Sequence, residues 1–246
     1  LLTSTGTKLA NVGVVTVSAD GKITAETVST DSLTAADQVT ASRAAAIQKQ
    51  IDDDYGTVFA KTTYELNGAK APNGNRDGET NLGDLITDAL VWGARQNGET
   101  VDAAVTNGGG IRATIKAGDI TKKDVNTVLP FGNTLSIVKV TGAELLEALE
   151  ASTYCTPDAL GGFPQVSGIV FTVDTAKAYD VGELYPDSTY HAPKSINRVT
   201  IQSVGGKAFD AKAVYTIATN DFMAAGGDTY YAFKTASANY DLGVPM

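Results

Sequence analysis

One histidine and one cysteine are all that this chain of 246 residues offers a transition metal. A zinc site of the Cys/His type takes three or four such ligands, so His191 and Cys155 cannot build one. A single cysteine also excludes an internal disulfide framework, which fits a bacterial protein in any compartment. No apolar run reaches the roughly 18 residues of a membrane-spanning helix. Positive charge is scarce too: the formal net charge is −9 and the pI about 4.6. Such a chain is a poor general binder of nucleic acid or anionic lipid, and any phosphate site must be a local cluster of cations. Only five arginines are present: Arg43, Arg76, Arg95, Arg112 and Arg198. The usual backbone phosphate cradles are missing as well. There is no Walker A sequence, and "NGGGIR" at 107–112 carries Arg112 where a dinucleotide fingerprint would have its last glycine. If phosphate is bound, arginine must hold it.

What is present suffices for one large domain or two small ones, with hydrophobic residues at 43% to fill a core. The chain starts at "LLTSTGTKLANVG" without an initiator Met or a signal peptide, and is expected to be a fragment of a longer protein. Residues 11–30 alternate around Asp20-Gly21 and predict a two-stranded ribbon. Residues 33–52 are Ala-rich, free of Gly and Pro, and predict a connecting helix with a thin apolar stripe. A short strand is expected at 57–66, then a turn-rich loop at 67–79. In 80–96, Leu82, Leu85, Ile86, Ala89, Leu90 and Gly93 recur at helical spacing, and Trp92 is expected to pack. Strands are expected at 101–106, 134–140, 168–174 and 213–220, with a capping box at Thr141 to Glu144 opening a helix and a hairpin about Gly205-Gly206. Hairpins mixed with strand–helix alternation predict an α+β fold, a mixed β-sheet with packed helices rather than a purely parallel one. The acidic run 52–54 reads as a solvated face, Cys155 as a small, partly buried residue, and His191 as a surface residue in a Tyr/Pro loop.

Four loops interrupt this pattern in one way, with glycines beside polar or aromatic side chains: "RDGETNLG" (76–83), "NGGGIR" (107–112), "LPFGN" (129–133) and "NDFMAAGGD" (220–228). A glycine triplet is either a loose surface turn or a floor that something approaches closely. A phenylalanine between Pro130 and Gly132 either caps the core from a loop or stands exposed. If Phe131 and Phe222 are both exposed, roughly 5 to 7 Å apart, they clamp a flat ring, and stacking contributes about 1–3 kcal/mol per base. Arg76 and Arg112 would then hold anionic groups, and Asp228 would accept hydrogen bonds from vicinal hydroxyls. A flat base, a diol and phosphates describe a nucleotide.

"ETNLGDLITDAL", "NGGGIR", "LPFGN", "VSGIVF" and "NDFMAAGGDTYYAF", in this order, resemble the C-terminal domain of the 5′-nucleotidase family, which includes bacterial periplasmic UDP-sugar hydrolase/5′-nucleotidases and animal ecto-5′-nucleotidases. The resemblance runs from about Tyr55 to Phe233. It implies that 55–246 is a nucleotide-binding domain, 31–54 a linker helix, and 1–30 the tail of a preceding metallophosphatase domain. By the same resemblance Phe131 and Phe222 sandwich the base, and Asn107 contacts its side. Gly109 and Gly110 let their loop pass close to the ligand, and Asp228 takes the ribose hydroxyls. Arg76 and Arg112 meet phosphate or the ribose end, and Gly168 lines the base pocket.

The family's two divalent metal ions and its catalytic Asn-His-Asp motif belong to the preceding domain. No catalytic or metal-binding residue is therefore expected here, and the fragment alone is expected to be inactive. In the intact protein a metal-activated water would attack phosphorus in line. The resemblance also implies a C-terminal domain that rotates to carry substrate to the metals, with "DDDYGTVF" as the expected pivot. The expected whole is an extracellular, periplasmic or cell-wall-associated bacterial phosphohydrolase. Its partners would be a nucleoside or nucleotide and its own N-terminal domain. The alternative is a non-catalytic nucleotide-binding or adhesion module.

Overall fold

The computed structural model describes residues 4–246, which divide into two units, one up to Tyr55 and one from Gly56 to Met246. In the first, strands β1 (Asn11–Val17) and β2 (Ile23–Ser29) pair antiparallel from Asn11↔Ser29 to Val17↔Ile23. Gly21 in the connecting turn has φ +81°, a left-handed conformation that glycine adopts without a Cβ clash. Helix α1 (Gln38–Tyr55) starts later than its alanines suggest. Asp37 sets the start, accepting a hydrogen bond from the Thr40 backbone N–H at 2.8 Å, as an N-cap does. The apolar Val39, Ile47 and Ile51 of α1 are exposed.

The second unit contains, in chain order, β3 (Val58–Thr62), α2 (Asn81–Gln96), β4 (Ala103–Asn107), β5 (Gly118–Thr121), α3 (Lys122–Val128), β6 (Thr134–Thr141) and α4 (Gly142–Ser152). Then come β7 (Pro164–Ser167), β8 (Ile169–Val173), β9 (Val181–Leu184), β10 (His191–Pro193), β11 (Val199–Val204), β12 (Lys207–Ala208), β13 (Val214–Asn220), α5 (Asp221–Ala224), α6 (Tyr231–Lys234) and β14 (Ala238–Pro245). Its centre is a five-stranded sheet in the order β14-β6-β13-β4-β7. Strands β13 and β4 run parallel and the other neighbours antiparallel, so the sheet is mixed and the fold α+β. A three-stranded sheet β12-β11-β8 and the pairs β3-β5 and β9-β10 complete it.

Both faces of the central sheet are covered. Ala103, Val105, Val138, Val140 and Ile217 face a core shared with Leu145 and Leu149 of α4, Ile201 of β11 and Phe233 of α6. Their neighbours Ala104, Leu135, Ile137 and Ala218 face Leu90 and Ala94 of α2. Every residue of β4 is buried, which is why its first three residues, Ala103 to Val105, are apolar without alternation. The box at the start of α4 forms as expected: the Thr141 backbone N–H donates to Glu144 Oε2 at 2.6 Å, and the Glu144 N–H to Thr141 Oγ1 at 3.2 Å. Trp92 does not pack inside. It lies on the outer side of α2 with 65% of its surface exposed, because Leu90 and Ala94 occupy the inward stripe.

One edge of the central sheet collects the interrupted loops. The parallel strands β4 and β13 both end there, at Asn107 and Asn220. The antiparallel neighbours β6 and β7 begin there, as the pairings Leu135↔Asn220 and Pro164↔Asn107 show. A buried glutamine ties in the 75–80 segment. Gln165 Oε1 accepts from the Thr80 N–H at 3.0 Å, while its Nε2 donates to the carbonyls of Gly78 at 2.7 Å and Asn75 at 3.2 Å. We expect Gln165→Ala to cost about 2–4 kcal/mol, since a polar group orphaned by burial costs roughly 1–3 kcal/mol; a lowered urea midpoint at unchanged m-value is the readout.

Candidate functional site

At this edge lies a cleft of about 480 Å³, within the range of roughly 300–1,000 Å³ typical of small-molecule sites. Phe131 and Phe222 both line it. They are 60% and 44% exposed. Each ring is placed by sheet geometry. Phe131 precedes β6 in a loop where Gly132 takes φ +66°. Phe222 follows β13 on the short α5, whose first turn is capped by Asn220 accepting from the Met223 N–H at 2.8 Å. A cross-link joins the two: the Thr134 N–H donates to Asp221 Oδ1 at 3.2 Å. Phe222 lies against the backbone of Gly227, where an added Cβ would come within 2.5 Å of the ring.

The glycine triplet forms a 3-10 turn, Gly108–Gly110, directly after β4. None of its members has a positive φ. Close approach is what demands glycine. A Cβ on Gly108 would stand 1.7 Å from the carbonyl oxygen of Asn75, and one on Gly109 would stand 2.9 Å from that of Gly161. Hydrogen bonds seal the contact, Gly108 N–H to Phe163 O at 2.8 Å and Gly109 N–H to Gly161 O at 2.7 Å. Gly109 and Gly110 line the cleft as well, but what presses on Gly108 and Gly109 is protein backbone.

Charge in the cleft is set by three groups. Arg112 lies 5.5 Å from the centroid of the Phe131 ring, a cation–π distance, and donates from Nη1 to the Gly109 carbonyl at 3.2 Å. Arg76 has its Nε buried without a partner. Burial, then the neighbouring Arg112 guanidinium, lower its pKa, with Asp228 pulling the other way. Neither arginine makes an ion pair among the described residues. Two adjacent guanidiniums without an ion-pair partner, in a chain of net charge −9, concentrate positive charge in the cleft, the pattern that suits an anion.

Asp228 is the third group. Its backbone has φ +52°, a left-handed conformation that costs a non-glycine residue about 1–2 kcal/mol and that aspartate tolerates better than most. Burial raises its pKa; the hydrogen bond from Asn107 Nδ2, 2.9 Å to Oδ2, and the charge of Arg76 pull it back down.

The structure therefore brings together Arg76, Asn107, Gly109, Gly110, Arg112, Phe131, Phe222 and Asp228. It does not bring Gly168 to them. Strand β7 starts at the cleft edge and runs away from it, so Gly168 follows the far end, with φ +77°, where an added Cβ would stand 2.9 Å from the Asp102 carbonyl oxygen. Two further residues line the cleft, Asn133 and Gly161. Asn133 sits inside the "LPFGN" motif, so its amide was available as a signal. Gly161 belongs to a second glycine pair, Gly161-Gly162, whose meeting with the triplet depends on β7 pairing with β4. A separate cavity of about 700 Å³, bordered by α2 and the C-terminal residues, carries no charged side chain to orient a polar ligand.

The family model described as "5′-nucleotidase, C-terminal domain" matches residues 58–235. The chain belongs to this family. It is 40% identical over 172 residues to the trifunctional nucleotide phosphoesterase protein YfkN of Bacillus subtilis, covering 68% of this chain and 11% of that protein. It is 36% identical over 168 residues to the cell wall protein Lmo0130 of Listeria monocytogenes, covering 65% and 19%. Among solved structures, a 5′-nucleotidase precursor from Thermus thermophilus superposes with a TM-score of 0.70 at 31% identity, over 96% of this chain and 45% of that one. The chain thus spans less than half the length of each of these relatives. Among the described residues no helix is long and apolar enough to cross a membrane.

Asp228 carries a pH signature. A carboxyl whose pKa is higher folded than unfolded adds stability below its unfolded value, and that contribution is lost as pH rises through the folded value. Asp228→Asn keeps the acceptor for Asn107 and tolerates the same φ. We expect this variant to melt higher than the parent at pH 7, with the difference closing below about pH 4, near the ordinary aspartate pKa; thermal unfolding at the two pH values checks it.

Proposed function

We propose that this cleft binds the nucleoside part of a nucleotide, and that the chain is the substrate-binding domain of an extracellular 5′-nucleotidase-type phosphohydrolase. The observation that carries the reading is the convergence, on one 480 Å³ cleft, of two exposed phenyl rings, two unpaired guanidiniums and a carboxylate. In this reading the base lies between Phe131 and Phe222, with Asn107 at its side and Gly109 and Gly110 as floor. Asp228 accepts the ribose hydroxyls, and Arg76 and Arg112 take the phosphate end. Family membership and the nucleotide phosphoesterase relative support it. The name of the Listeria relative supports a cell-wall or otherwise extracytoplasmic location.

The dimetal centre that the family resemblance implies does not fit the donors of this chain. Its one histidine, His191, is exposed, with Nδ1 3.0 Å from the Gly182 carbonyl. Among the described residues no group of three His, Cys, Asp or Glu side chains is placed to hold a metal ion. The residues of this chain therefore bind and orient, and the two divalent ions are assigned to a preceding metallophosphatase domain. On the same reading, residues 4–30 are the tail of that domain, 31–54 a linker helix with its pivot at Gly56, and 55–246 the nucleotide-binding domain. Residues 1–3, the start of the proposed tail, lie outside the described residues.

Titration calorimetry with adenosine and AMP tests the cleft; Trp92 lies outside it and is no reporter. Phe131→Ala and Phe222→Ala should each weaken both ligands by roughly 5- to 150-fold, the equivalent of about 1–3 kcal/mol of stacking, while Arg112→Ala should weaken AMP more than adenosine. Unchanged affinities in both phenylalanine variants would refute the clamp. The chain alone, given Mg²⁺, Mn²⁺ or Zn²⁺, should release no phosphate from AMP; turnover that survives repurification would overturn its assignment as a binding domain.

A further inference from the structure

The cleft residues named so far come from separate loops, and one buried side chain joins them. Asn220 is 1% exposed and ends β13. Its Oδ1 accepts from the Met223 N–H at 2.8 Å, capping the helix that bears Phe222. Its Nδ2 donates to Thr106 Oγ1 at 3.1 Å and to Asn107 Oδ1 at 3.1 Å. Asn107 in turn donates from Nδ2 to Asp228 Oδ2 at 2.9 Å.

The direction of this chain of hydrogen bonds is forced. A backbone N–H can only donate, so the Asn220 oxygen must face Met223 and its NH₂ must face β4. That NH₂ fixes the Asn107 oxygen toward itself and turns the Asn107 NH₂ outward. An ionised carboxylate can only accept, so Asp228 receives it with Oδ2. Each amide is held in one of its two orientations by a partner that cannot reverse roles, and the second carboxylate oxygen of Asp228 is left for a donor from outside this chain of bonds.

We propose that Asn220 is a positioning residue: by orienting the Asn107 amide it holds the Asp228 carboxylate for ribose hydroxyls, and by capping α5 it holds Phe222 for the base. The proposal rests on the nucleoside reading of the cleft. It separates two roles that a merely structural asparagine would not separate. Asp at 220 still caps α5, because its oxygen accepts from Met223, but it has no proton for Asn107. The Asn107 amide then turns over to donate to residue 220 and presents its oxygen to Asp228, two acceptors facing one another. Ser at 220 also caps, carries no charge, and is too short to reach Asn107.

The test is calorimetry on the full chain, measuring adenosine against 2′,3′-dideoxyadenosine, with thermal unfolding of every variant. A hydrogen bond to a charged acceptor corresponds to about a tenfold or larger preference for the hydroxylated ligand, and this is expected in the parent. In Asn220→Asp and Asn220→Ser the ratio should fall to about twofold or less, mainly through weaker adenosine, with dideoxyadenosine changed by less than about threefold. Thr106→Val removes the other acceptor of Asn220 and should keep the parent ratio. The proposal is overturned if both Asn220 variants keep that ratio, if both ligands weaken equally, or if Thr106→Val loses discrimination to the same extent. A parent that binds neither ligand refutes the nucleoside reading itself; a parent that binds both equally refutes only the assignment of Asp228 and Asn220 to the ribose.

Discussion

The pairing of β4 with β13, the one parallel contact in the central sheet, is the constraint on which the cleft depends. Two parallel neighbours end on the same edge, so the segments that follow them are delivered side by side. The crevice outside the carboxyl ends of parallel strands is a general location for ligands. Here the two strand ends are asparagines, joined by a hydrogen bond of 3.1 Å. After β4 the chain turns through its glycines toward Arg112; after β13 it turns through α5 toward Phe222 and Asp228. The antiparallel strands β6 and β7 start at this edge and bring Phe131 and Gly161 with their preceding loops. Residues more than 100 positions apart become one site because four strands share a boundary.

The same sheet explains which parts of the molecule were legible in the sequence. Local signals sufficed for the β1–β2 ribbon around Asp20-Gly21, the Thr141–Glu144 box, the helix over 80–96, and the glycine hairpin where Val204 pairs with Lys207. Pro130 and Gly132 on either side placed Phe131 on a loop, but the sequence leaves open whether its ring caps the core or stands exposed, and the structure decides it. The strands that went unread are short or polar: β5 is four residues, β10 three, and β14 carries Asn239 and Asp241. They exist because a partner strand is present, and no window of local sequence contains that partner. Gly168 shows the limit from the other side. A motif places a residue in a family's order, but the direction of β7 decides at which end of the sheet it lies. Trp92 shows it again, since a helical stripe fixes a face only within about a residue's rotation.

The triplet illustrates how one local feature serves two needs. Glycine is costly in a folded chain, and the first need is packing: the segment carrying Arg76, the β4 turn and the Gly161 loop stack with backbone against backbone. This stacking sets the height of Arg76 relative to Arg112. Any side chain at 108 would push the Asn75 segment outward and take Arg76 with it. The glycines therefore act on the arginine pair through the position of a neighbouring loop as well as by lining the cleft.

Electrostatics gives the cleft its polarity. Arg76 and Arg112 repel each other, and Asp228 is drawn to Arg76 yet held in a poorly solvated place at a left-handed backbone position. Each of these arrangements lowers the stability of the empty fold. Strain and unpaired charge at a binding site persist only where the surroundings over-determine them, and here the surroundings can be named: Gln165 beneath the Arg76 segment, Gly227 beneath Phe222, and Asn107 beside Asp228. An anion between the guanidiniums relieves their repulsion, and hydroxyls on Asp228 replace part of its lost hydration. On the nucleoside reading, a ligand that carries both groups removes both of these local penalties at once. On that reading affinity comes in part from tension already present in the unliganded chain, so it depends on the supporting residues as much as on those that touch the ligand.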